Sequence, residues 1–203
     1  MDMLRITALW SGFNGAPGYS NFFFNTDGGF WDGGIIGDDL QETANGASER
    51  VSAAFNAMRE YLPSGVEVRV QPEAEVIDSN TGEARGIIEV PEGYAIGNGG
   101  SGGWSAASGA VVNWRTNDYR AGRRIRGRTF LVPLAGKAYE ADGTLAGLAR
   151  TAIQTFGTTM ISGTGTADFG VWSRPRGGSG GVWATVVAST VPDMAAVLRS
   201  RRD

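Results

Sequence analysis

Chemistry in this chain has to come from carboxylates, hydroxyls and guanidinium groups, because its 203 residues include no His and no Cys. That absence excludes Ser-His-Asp and Cys-His nucleophilic systems, thiolate catalysis, disulfides and an ordinary zinc site. Gly177-Gly-Ser-Gly-Gly181 has the G-x-S-x-G spacing of a nucleophile elbow. Ser179 has no imidazole to take its proton, so the stretch reads as a turn. Gly97-Asn-Gly-Gly-Ser-Gly102 has the G-x-G-x-x-G spacing of a dinucleotide loop. That fingerprint must open a helix, whereas here the chain runs on into a strand pattern. The single Lys, Lys137, has Leu131 where a phosphate loop needs Gly and Ala138 where it needs Ser or Thr. No catalytic residue, metal ligand or cofactor is expected.

Two groups of charged residues remain. Asp32, Asp38, Asp39, Glu42, Glu49, Glu73 and Glu75 are numerous enough to offer the paired acid and base of a glycosidase, with Trp31 to stack on sugar. Their spacing singles out no pair, and solvated surface acids and helix caps are the simpler account. The denser signal is Arg115, Arg120, Arg123, Arg124, Arg126 and Arg128 against Asp118, a net +5 in 14 residues. Arg presents a planar fork to phosphate, and Trp114 and Tyr119 are interleaved for base stacking. The whole chain is acidic, with a pI near 5.1, unlike a dedicated nucleic-acid binder. Contact with carboxylates of a neighbouring subunit ranks above nucleic acid.

The charge is divided along the chain. Residues 1–92 carry 15 acids and 5 Arg, a net of −10; residues 93–203 carry 6 acids and 13 bases, a net of +7. Halves of opposite sign can pair within a monomer or stack copies head to tail. Asp38 and Asp39 on the acidic side, and the Arg cluster with the basic end Arg199, Arg201 and Arg202 on the other, are the candidate interface residues.

The elements that would position these groups follow from periodicity. Strands are expected at Leu4–Trp10, Tyr19–Phe24, Val66–Val70, Ala74–Asp78, Ala84–Val90, Gly109–Thr116, Arg126–Val132, Phe169–Arg174 and Val182–Val187. Asp27–Gly34 reads as loop. A helix is expected from Leu40 to Leu62, with its apolar stripe at Leu40, Ala44, Ala47, Val51, Ala54, Phe55, Met58 and Leu62, Asp38 or Asp39 as cap and Pro63 as stop. A second runs from Thr144 to Phe156, capped by Asp142 and ended by Gly157, with a stripe at Leu145, Leu148, Ala149, Ala152, Ile153 and Phe156. Ser79-Asn-Thr-Gly82 is a hairpin turn. Residues 97–103 read as a long, flexible Gly-rich loop, and 194–203 as a short helix or basic tail. Runs of strands with few helices argue for one α+β domain over residues 1–203, mainly antiparallel sheet or sandwich with two amphipathic helices packed against it. No segment approaches the roughly 20 apolar residues of a membrane span, and Met1-Asp-Met-Leu-Arg lacks the flank of a secretion signal.

Three stretches carry a resemblance. Trp10 to Phe24, Val111-Val-Asn-Trp-Arg-Thr116 with Gly122 to Pro133, and Arg199-Ser-Arg-Arg202 together resemble small virion structural proteins of tailed bacteriophages infecting actinobacteria, above all through Arg126-Gly-Arg-Thr-Phe130. The surplus of Arg over Lys suits such a host. The resemblance implies a non-enzymatic subunit that assembles with copies of itself in a ring or lattice and with other virion proteins. It leans to a tail tube or tail-associated ring, with a minor capsid or decoration protein as the alternative. Such a protein is made in the host bacterial cytoplasm and ends in the virion. From another class, a glycosidase-like enzyme and an Arg-cluster nucleic-acid-binding module remain as competing expectations.

Overall fold

A computed structural model describes residues 2–11, 18–25, 31–32, 35–36, 38–78, 80–100, 109–118, 123–130, 134–160, 165–173 and 182–189. Alternating apolar residues make β1 (Asp2–Ser11) and β2 (Gly18–Asn25) antiparallel partners, as their patterns predict. β3 (Trp31–Asp32), inside the stretch expected to be loop, pairs with β4 (Ile35–Ile36) just beyond it. The helix α1 (Asp38–Met58) follows and tightens into a 3-10 turn at Arg59–Tyr61. All eight residues of its expected stripe are buried. Gly46 does not break it, and a Cβ there would meet nothing.

The two strands expected at 66–70 and 74–78 are one, β5 (Glu67–Asp78), which runs through Pro72. Proline has no N–H for a ladder, so it is tolerated in a central strand only where pairing is interrupted. Here the register with β1 shifts between Ile6 and Ala8. On the other side of β5 the partner changes from β7 (Gly93–Ile96) to β6 (Ala84–Glu89). The Pro72 carbonyl still accepts the Val90 N–H. The four-residue β7 has no counterpart among the expected strands. Between β5 and β6, the Asp78 carboxylate accepts the Asn80 N–H and Gly82 takes a positive φ of 76°, which closes the hairpin.

A second sheet has the order β11-β10-β8-β9, built from β8 (Gly109–Asp118), β9 (Arg123–Phe130), β10 (Gly165–Ser173) and β11 (Val182–Ser189). The helix α2 spans Gly147–Met160, three residues later at its start than expected, and it continues through Gly157, which is buried inside it. Asp142 does not cap it. Its carboxylate accepts both the N–H and the hydroxyl of Thr144 in a preceding turn, and Leu145 pairs with Tyr139 in an isolated bridge. Leu148, expected in the buried stripe, is 76% exposed: Ala149, Ile153, Phe156 and Met160 are inside, and Leu148 stands about 100° round the helix from Ala149.

Both helices pack on one side of the sheets and on each other. Leu4, Ile6 and Ala8 of β1, Phe22 of β2 and Val68, Val70, Ala74 and Val76 of β5 lie under α1, and Val171, Val186 and Ala188 join the same core beside α2. Phe55 on α1 ties the elements together. Its ring stands edge-on to Phe22 at 5.9 Å and to Phe156 of α2 at 5.1 Å, arrangements that add to the area each ring buries. The fold is α+β, mostly antiparallel sheet with two helices packed against it.

The start of the expected flexible loop is tied down. Gly97, Asn98 and Gly99 donate their N–H groups to the carbonyls of Val66, Arg59 and Leu62, and Gly100 exchanges hydrogen bonds with Ser64. Carbonyls left over at the end of α1 and its 3-10 turn are thereby satisfied. A Cβ on Gly99 would stand 2.6 Å from the Leu62 carbonyl oxygen and 2.7 Å from that of Glu60. Glycine is required there by close approach. Residues 101–103 lie outside the described residues.

Candidate functional site

The two sheets have four outer edges, and helix side chains occupy carbonyls along two of them. Along β6 and β7, α1 presents Gln41 to the Glu89 carbonyl, Ser48 to the Pro91 carbonyl and Asn56 to the Tyr94 carbonyl, at 2.7, 2.7 and 3.0 Å. These residues are seven and eight apart, so they recur on one face of the helix. Along β11, α2 does the same with Arg150 to the Thr185 carbonyl and Gln154 to the Val187 carbonyl. The remaining edge strands, β2 and β9, lie close to each other although they belong to separate sheets. Helix side chains thus occupy carbonyls that a free edge would offer to an added strand.

The first sheet turns one face to the helices and the other outward. Alternation places Arg5, Thr7 and Leu9 of β1, Tyr19, Asn21 and Phe23 of β2, Glu67, Arg69, Glu73 and Glu75 of β5, Ile87 and Glu89 of β6, and Tyr94 and Ile96 of β7 on the outward face. Tyr19, Ile87, Tyr94 and Ile96, four of the six large apolar side chains found exposed, all stand on this one face. Five carboxylates, Glu67, Glu73, Glu75, Glu89 and the adjoining Glu92, face two Arg. Arg5 pairs with Glu75 and Arg69 with Glu92. Hydrogen bonds from Tyr94 and then Arg69 hold the Glu92 carboxyl below its ordinary range, and the same contact raises the Tyr94 phenol. Glu73 and Glu89 are both exposed and stand directly opposite each other across the strands.

The second sheet can be read the same way from its backbone register. Val171, Val186 and Ala188 are buried beside α2, whereas Thr185 and Val187 are exposed, which fixes the core face and the outward face. Arg115 is the direct partner of Arg126, Asn117 of Arg124 and Asn113 of Arg128. Through β10, where Thr166 pairs with both Arg115 and Ser189 and Asp168 with both Asn113 and Val187, these positions share the face of Thr185 and Val187. Trp172 and Trp183 are direct partners along β10 and β11, as are Asp118 and Arg123 along β8 and β9. Counting charged residues, the outward face of the first sheet is net −3.

Of the expected interface residues, Arg115, Arg123, Arg124, Arg126 and Arg128 lie on the neighbouring strands β8 and β9. Arg120, Arg199, Arg201 and Arg202 lie outside the described residues. Asp38 and Asp39 begin α1, on the helix side of the first sheet, and do not join its acidic face. The acids that do, Glu67, Glu89 and Glu92, were not singled out in the sequence. For Glu67 the signal is the period-two alternation of Val66-Glu-Val-Arg-Val70, which already assigns its charges to the face away from the core.

For the carboxylate chemistry, Glu73 and Glu75 sit two apart on β5, and Glu75 is engaged by Arg5. The facing carboxylates are Glu73 and Glu89, which lie on an open sheet surface. A general acid at neutral pH needs burial to raise its pKa, and these two are exposed. The glycine pattern 97–102 begins against the end of a helix instead of opening one, the reverse of a dinucleotide loop. The pattern 177–181 lies outside the described residues. Among the described residues no cluster of three or more acids could hold a metal ion, and no helix is long and apolar enough to cross a membrane.

No protein-family model matches this chain, and no curated protein or solved structure matches it either.

Proposed function

We propose that this chain is a structural subunit of a tailed-bacteriophage virion, working by contact with copies of itself in a tail tube or tail-associated ring. The observation that carries the reading is the outward face of the first sheet, net negative, on a fold where helices guard two of the four sheet edges. With residues 93–203 carrying a net +7 against that acidic face, one copy has surfaces of both signs to offer its neighbours. The acidic face adds exposed Tyr and Ile side chains, a composition suited to the centre of an interface. The likeness of the Arg126 to Phe130 region to phage virion proteins supplies the setting, and a minor capsid or decoration protein would use the same surfaces.

The Arg cluster at 115–128, with Trp114 and Tyr119 interleaved in the sequence, favours one further reading, a basic and aromatic segment for a polynucleotide. It ranks second because it leaves the acidic face unused. Sedimentation velocity and negative-stain imaging test the first reading. Rings, tubes or a lattice, together with recovery of the chain in purified virions, are expected. A chain that stays monomeric at high concentration and is missing from particles overturns it.

A further inference from the structure

We infer that the outer edge of β6 takes up an added strand from a partner protein, an extended segment with a basic side chain two residues before an apolar one. The inference stands on the edge itself and does not depend on the assembly reading above.

The guard that α1 places on this edge is incomplete. In an antiparallel pair, alternate residues of a strand turn both backbone groups toward the partner strand, and the residues between them turn theirs away. The Val90 N–H donates to the Pro72 carbonyl of β5, so Val90 and, by alternation, Ile88 face β5. Glu89 and Ile87 face away, and the Glu89 carbonyl accordingly accepts the Gln41 side chain. Gln41 covers that carbonyl alone and turns its amide to Asn45 as well. The Glu89 N–H and both backbone groups of Ile87 stay on an edge that no further strand joins among the described residues. Such groups are what strand addition uses.

The side chains define the incoming segment. Ile87 is 56% exposed on the outward face and offers an apolar neighbour to the residue opposite it. Glu73 and Glu89 form a pair of the kind that exchanges no backbone hydrogen bonds, in which side chains stand closest. Arg5 pairs with Glu75 and Arg69 with Glu92, whereas among the described residues Glu73 and Glu89 have no ion-pair partner. A basic side chain opposite Glu89 would relieve their repulsion. Side chains two residues apart share a face, so an antiparallel segment meets Glu89 with its basic residue and Ile87 with the apolar one that follows two places on. A second copy's β6 is the wrong occupant. Pairing the two edges antiparallel would bring two outward faces of net −3 side by side.

The test is fluorescence anisotropy of a labelled peptide carrying Arg-Thr-Val within a run of Thr, titrated with the full chain. It should bind, and more weakly as salt is added. The same peptide with Glu in place of Arg should not bind. Methylating the Val backbone nitrogen, which faces β6, should weaken binding on the order of 10-fold, whereas methylating the preceding Thr nitrogen, which faces away, should leave it intact. On the protein, Glu73→Gln with Glu89→Gln should weaken binding on the order of 10-fold. Ile87→Pro removes an edge N–H that β5 does not use and should also weaken it.

No binding overturns the proposal. Binding that ignores both methylations is attraction by charge alone and overturns it too, whether or not Ile87→Pro folds. Self-association lost in Ile87→Pro, with no peptide bound by the wild type, assigns the edge to a second copy and overturns the proposal while the assembly reading stands.

Discussion

Glu73 on β5 is the direct cross-strand partner of Glu89 on β6, and both are exposed to solvent. Two carboxylates opposed in this way repel each other in every copy of the free protein. The neighbouring pair on the same strands, Glu75 opposite Ile87, is eased by Arg5, which bonds the Glu75 carboxylate.

Neutralising one member should therefore stabilise the monomer. Glu89→Gln is expected to raise unfolding free energy by roughly 0.2–1 kcal/mol, measured by urea denaturation at a concentration low enough to keep the chain monomeric. The same substitution should weaken self-association. A purely structural role for Glu89 would move both quantities in the same direction.

Two glycines should respond in opposite ways to Ala. At Gly46 a Cβ meets nothing within 4 Å in the middle of α1, so Gly46→Ala should stabilise by about 0.5–1 kcal/mol. At Gly99 it would press on the Ala135 Cβ at 2.6 Å and on two backbone carbonyls. Gly99→Ala should cost about 1–3 kcal/mol through overpacking. Thermal melts of the two variants beside the wild type check both signs.

Phe55 is 1% exposed and holds the rings of Phe22 and Phe156 on either side. Phe55→Ala removes both edge contacts and leaves a cavity where β2, α1 and α2 meet. The expected loss is about 3–5 kcal/mol, a large share of the roughly 5–15 kcal/mol that keeps a domain folded. Chemical denaturation should show a much lower midpoint, and Phe55→Leu should recover part of it.

Asp78 sets an acid limit. Its carboxyl is held below the ordinary value by the Asn80 N–H, by Arg85 and by the Thr81 N–H. With the folded pKa depressed, the stabilisation is complete above the unfolded value of about 3.9 and disappears as pH falls through the lower folded value. Asp78→Asn should be less stable than wild type at neutral pH, and the gap should close as pH falls through the depressed folded value. Urea midpoints across that range are the measurement.

Much of this fold can be read from its residues because most segments have a clear period. The stripe of α1 predicts its buried face residue by residue, and the alternation in β1 and β5 separates a core face from a charged one. The misses have physical causes. Pro72 looks like a strand boundary until the bulge that accommodates it is seen. Asp142 looks like a cap because capping residues also stabilise turns, which is its role here. The Gly97–Gly99 stretch looks flexible by composition, but it is glycine because the end of α1 leaves no room for a side chain. The candidate site was half visible. The Arg cluster is dense in sequence, whereas the acidic face is assembled from β5, β6 and the residues before β7, and Glu73 meets Glu89 only through the register of their strands.

The side chains that close the sheet edges also set an order of events during synthesis. Residues 41, 48 and 56 of α1 precede the carbonyls at 89, 91 and 94, and residues 150 and 154 of α2 precede those at 185 and 187. A chain leaving the ribosome from its N-terminus has each guarding helix translated before the edge strand it will cover. That order shortens the time in which an uncovered edge strand is exposed to nascent neighbours.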